Sequence, residues 1–228
     1  MSRVFPLVCV VVVLAGNLFL PRRYTEEVAL PAPPVRDRTD VLLSVLGESR
    51  TVMARYLWFK MDLLHEELQR QGYAAHQEVD VLPLLRMITL LDHSLVDAYD
   101  LISTDLHRGQ SRSELALGLL NEGLAYNPNN SILLFRKARI LFELKRHEEV
   151  WPVVDQALAT GPTDPLMVRN LCRLGFHSSL SLGHKEKAES YLRLMFLVAD
   201  GDVTAVVLWK QLYGDDSMPP QHILHPLR

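Results

Sequence analysis

Three arginines and three phenylalanines recur along the middle of this chain at positions that a helical register gathers into one surface. The set is Leu101 and Asp105, then Phe135, Arg139 and Phe142, then Arg169, Arg173 and Phe176. Guanidinium groups pair with carboxylates in a forked geometry, and phenyl rings beside them suit apolar side chains. The chemistry expected of the set is therefore recognition of an extended peptide carrying acidic and apolar residues. The bland alternative is that the arginines solvate their helices and the phenylalanines pack on the neighbouring unit.

Bond-making chemistry has no comparable support. Nine histidines are present, but none has carboxylates or thiols at metal-ligand spacing. His65-Glu66-Glu67 reads as a solvated helix face, and His222 and His225 in HILH read as tail residues. Ser103 and Ser111 lack a neighbouring base, and there is no glycine-rich phosphate loop or GxSxG turn. Cys9 lies in the apolar N-terminus and Cys172 in a helical pattern, which makes neither a disulfide framework nor a redox pair. No catalytic residue, cofactor or metal ligand is expected, and the protein is read as a non-enzyme.

The elements that must position the arginine–phenylalanine set are helices. From residue 39 onward the apolar spacing is helical, and no sustained period-two alternation marks a strand. The chain also resembles itself at an offset of 34 residues. Residues 131–164 hold a first helix with Leu134, Ala138 and Leu141 on one face and a polar turn at 145–148. A second helix follows with Val150, Val154 and Ala157, and Pro162 closes the unit. One period earlier stand Ala116, Leu120, Gly123 and Pro128, with a first helix over about 96–107 and Thr104 in the place of Ala138. Before that come Val81, Leu85, Ile88 and His93. Pro83 and Pro152 fall at the same point of two units. Proline is tolerated in the first turn of a helix, so second helices are expected to start near Asp80 and Glu149. Forward of Pro162, residues 165–177 make a first helix, and Ala188, Leu192 and Met195 the packing face of a second, in a unit about one helical turn longer. Residues 49–71 supply the opening helix and 202–213 a closing one.

These features predict an all-α fold: a right-handed superhelix of about four antiparallel helix hairpins over residues 39–213, preceded by one N-terminal apolar helix. The chain has 228 residues, 48% of them hydrophobic, and a net charge of −3 with both signs interspersed, so a nucleic-acid footprint is not expected. Residues 4–20 carry no charge over 17 positions, the short limit for spanning a bilayer. A membrane anchor over 1–23 is the favoured reading. A signal peptide cut before Gly16 and a buried core helix are the alternatives. Arg3 on one side nearly balances Arg22 and Arg23 on the other, and the short leading segment favours a soluble domain on the non-cytoplasmic, periplasmic side. Pro31, Pro33 and Pro34 make 24–38 an extended spacer, and 214–228 is read as an extended tail.

Residues 73–200 resemble tetratricopeptide repeats, most clearly at 131–164, although no unit has that family's tryptophan or tyrosine on its first helix. The segment LGESRTVMARYLWFKMD is similar to a stretch that precedes such repeats in some membrane-anchored bacterial proteins of unassigned role. The first helix of each stacked unit would line a concave inner wall, where the eight residues above would lie. The lysine–asparagine clamp with which some family members hold the acidic C-terminus of heat-shock chaperones is absent, so that partner is not expected. The resemblance implies a membrane-anchored scaffold or accessory subunit that binds one or more membrane-associated proteins. The alternative is a peptide-binding adaptor or chaperone-like assembly factor. Pairing with copies of the same chain is open to either stack end.

Overall fold

A computed structural model of the chain describes residues 46–47, 49–70, 81–198, 203–215 and 217–220. The expectations for the anchor, the spacer and the histidines of HILH lie outside these residues. Among the described residues there are helices and no strands, as the spacing predicts. In chain order they are α1 (Ser49–Arg70), α2 (Val81–Leu91), α3 (Val96–Thr104), α4 (Ser113–Tyr126), α5 (Ser131–Glu143), α6 (His147–Ala159), α7 (Pro165–Ser181), α8 (Lys185–Val198) and α9 (Val203–Tyr213). None of them is long and apolar enough to cross a membrane.

Local chemistry sets several boundaries. The Asn130 side chain accepts from the backbone N–H groups of Ile132 and Leu133 at 3.0 and 3.1 Å, which satisfies two donors that α5 cannot. Asp164 accepts from Leu166 N–H at 2.9 Å ahead of Pro165, whose ring presets the first helical position of α7. At the end of α5, Arg146 N–H donates to Leu141 and Lys145 N–H to Phe142, with Lys145 at φ +60°. The same two bonds close α7, from His184 to Ser179 and from Gly183 to Leu180, there with a glycine in the left-handed residue.

Apart from Val81, whose side chain lies outside the described residues, the packing positions read from the repeat are buried: Leu134, Ala138 and Leu141; Val150, Val154 and Ala157; Ala116, Leu120 and Gly123; Ala188, Leu192 and Met195; Leu85 and Ile88. Full burial of a leucine or valine side chain contributes roughly 1.5–3 kcal/mol, so this face supplies most of the drive to pair helices. The small residues matter by what they admit. Gly123 lies against the ring of Tyr99 and Gly175 against that of Tyr191, so close that a Cβ would stand 3.0 and 2.6 Å from ring atoms.

Each helix packs on the next in sequence, and α3, α5 and α7 also touch in succession. The second members are tied laterally by side chains. Arg86 on α2 donates to both oxygens of Glu122 on α4 at 2.7 and 2.9 Å, and Tyr191 on α8 donates to Asp155 on α6 at 2.7 Å. The first members are tied in the same way, through Arg136 on α5 and Asp100 on α3, at 2.5 and 2.8 Å. Each of these pairs is separated by 36 residues, one period plus two.

Four details differ from the sequence reading. The turn after α5 is shorter than 145–148, because α6 begins at His147. Pro152 therefore lies inside α6 and not in its first turn, where its exposed position leaves the Glu148 carbonyl without an i+4 donor. The first helix expected over 96–107 is α-helical only to Thr104 and then opens into a π turn, Asp105–Gly109. The helix expected over 165–177 continues for another turn, to Ser181.

Candidate protein-binding face

Helices α3, α5 and α7 lie side by side, and the sequence-selected residues are distributed along them. On α5, Phe135, Arg139 and Phe142 are all half-buried, as are Leu101 on α3 and Asp105 in the π turn. On α7, Arg169 is half-buried and Arg173 exposed, but Phe176 is 0% exposed and belongs to the core. The accessible line of α7 passes through Arg173 and His177 instead, one residue further round the helix. Phe176 thus has no surface to offer a ligand. The physical reason is rotation: α7 turns its Phe176 edge into the contact with its neighbours, which a repeat register accurate to one residue cannot resolve.

His177 joins two of the expected residues. Its ring lies 6.3 Å from that of Phe142 and packs edge-on against Phe176 at 5.2 Å. Phe142 also meets His147 of α6 edge-on at 5.5 Å. Burial, with Arg173 beside it, lowers the His177 imidazole below its ordinary value and favours the neutral ring. The α5–α7 seam therefore presents Phe142 and a neutral imidazole, with the Arg173 guanidinium next to them.

The arginines are not equivalent. Arg139 donates to Glu143 at 3.1 Å, which engages part of its fork within its own helix. Arg169 and Arg173 make no ion pair with any described residue. Two cations thus stand a turn apart on α7 without an ion-pair partner among the described residues.

At the α3 end the π turn builds a polar knot that the sequence reading missed. His107 contacts the Ser113 hydroxyl through Nδ1 and Glu143 through Nε2, both at 2.8 Å, and Arg108 donates to Glu143 at 3.1 Å. Burial works against the Glu143 carboxylate, yet hydrogen bonds from His107, Arg139 and Arg108 hold its pKa at about 2. Serine, imidazole and carboxylate in this order are the groups of nucleophilic activation. Here the carboxylate is shared with the guanidiniums of Arg108 and Arg139. The same contacts join the π turn, α4 and α5. The signal that could have found the knot is the spacing, since His107 and Glu143 are 36 residues apart like the other ties.

Ser103 is buried and donates to the Asp100 carbonyl at 3.0 Å, and Ser111 is exposed with φ +55°. Burial, reinforced by Asp155, pushes the Cys172 thiol up to about 12, which suppresses the reactive thiolate. Among the described residues no group of three histidines, cysteines or carboxylates could hold a metal ion. No protein-family model matches the chain, and no curated protein is detectably similar to it.

Proposed function

We propose that this protein is a membrane-anchored scaffold or accessory subunit of the tetratricopeptide type, with its hairpins stacked as a right-handed superhelix. Its partner is a membrane-associated protein that lays an acidic, partly apolar segment along α5 and α7. The observation that carries the reading is the pair Arg169 and Arg173, without an ion-pair partner among the described residues, beside the Phe142–His177 contact. A buried guanidinium–carboxylate pair with an aromatic neighbour is the kind of anchor on which binding energy concentrates. The succession of first helices α3, α5 and α7 along one side is consistent with the stacking that such an inner wall needs.

Extraction of the full-length protein from its native membrane in mild detergent, with mass spectrometry of what co-purifies, tests the proposal. A stoichiometric protein partner is expected with the wild type. It should be lost from the Arg169→Ala/Arg173→Ala variant while helix content and thermal midpoint stay unchanged. Full retention of the partner by that variant would rule out this face. Varied, substoichiometric clients in place of one partner would move the function to a peptide-binding adaptor.

A further inference from the structure

The outer side of α1 bears an apolar stripe that stays exposed, with no ring or core contact to another described helix. Val52, Tyr56, Phe59 and Leu63 are 65, 47, 57 and 45% exposed, and their spacing of four, three and four residues puts them on one line along the helix. The opposite side of α1 carries the contacts to the core, through the buried Ala54 and Met61 and the half-buried Leu57 and Trp58.

The charges beside the stripe indicate what covers it. Arg55 and Asp62 are exposed, lie seven residues apart on the same flank, and pair with no described residue. The 4-3-4 spacing is that of a coiled-coil seam. Two copies of α1 packed antiparallel, with the two-fold axis midway between Tyr56 and Phe59, set Tyr56 against Phe59 and Val52 against Leu63. In that register Arg55 of each copy falls opposite Asp62 of the other, giving two opposite-charge pairs. Parallel packing would set Arg55 against Lys60 and Asp62 against Glu67, two like-charge pairs.

We infer that α1 is a self-association surface, and that the protein forms a two-fold dimer through antiparallel α1 helices. The contact is a single helix pair, small by the standards of permanent interfaces, so the dimer is concentration-dependent. The inference does not rest on the α7 face, and the two can fail separately.

Sedimentation equilibrium of the full chain in a neutral detergent, over a wide concentration range, tests it. The wild type should show a monomer–dimer equilibrium that Phe59→Asp abolishes, with helix content unchanged because Phe59 is exposed. Arg55→Asp alone and Asp62→Arg alone should each weaken the dimer by about tenfold or more, since each turns two attractive pairs repulsive. The double reversal Arg55→Asp/Asp62→Arg should restore wild-type association. A monomer at every concentration would overturn the inference, as would a dimer indifferent to Phe59→Asp or a double reversal that fails to rescue. Loss of vesicle binding in Phe59→Asp with no change in oligomeric state would assign the stripe to lipid instead.

Discussion

At the scale of single residues, the fold depends on side chains that are small or shared. Gly175 leaves room for the Tyr191 ring, whose hydroxyl donates to Asp155, while the Lys187 ammonium binds the same carboxylate at 2.5 Å. Gly175→Ala would place a methyl group 2.6 Å from that ring and force the two helices apart. The expected loss is about 1–3 kcal/mol in urea unfolding, the usual range for overpacking. A neutral result would mean that α7 and α8 can slide without cost. Glu143 offers a second test, through pH. Its carboxyl titrates at about 2 when folded against an ordinary 4.5, so the folded state binds the proton more weakly. The stability this contributes is complete above about 4.5 and is lost as pH falls toward about 2. Glu143→Gln should therefore lower the thermal midpoint near neutrality and approach the wild type as the solution is acidified through that window. A difference independent of pH would exclude the ionised knot.

At the scale of elements, the helix ends are where local rules and tertiary demands meet. The turns after α5 and α7 make the same pair of backbone bonds, but one places Lys145 and the other Gly183 in the left-handed region. A residue with a Cβ is strained there and glycine is not. Lys145→Gly should thus stabilise the protein by up to roughly 1 kcal/mol, measured as a shifted denaturant midpoint with unchanged slope. Destabilisation would show that the Lys145 side chain contributes more than its backbone conformation costs. The π turn after α3 is the opposite case. Nothing in DLHRG forbids continuing the α-helix, and the widened turn carries His107 and Arg108 to Glu143 of α5. Such turns recur at functional sites, and this one borders the proposed binding face.

At the scale of the whole molecule, the main contacts of the described helices run to the next helix and the next but one, so coupling between them should reside in identifiable pairs. Arg136 and Asp100 form the most enclosed of the lateral ion pairs, with two hydrogen bonds and side chains 18 and 25% exposed. A double-mutant cycle with Arg136→Ala and Asp100→Ala should give a coupling of about 0.5–3 kcal/mol in equilibrium unfolding. Additive single losses would mean that apolar packing alone joins α3 to α5.

The sequence by itself determined the helical class of the described region, the hairpin packing positions and most element limits. Each of these follows from short-range periodicity, proline placement or capping, which a chain carries wherever it folds. Ala138, Val154, Leu192 and the closing helix were all legible in this way. Only the tertiary structure decided which side of each helix met a neighbour. It buried Phe176, brought His177 against Phe142, closed Glu143 onto Arg139, left Arg169 and Arg173 without an ion-pair partner among the described residues, and opened the π turn. Rotation by one residue, about 100° of helix, is enough to exchange a core position for a surface one, and it is set by packing across the seam and not by the helix itself.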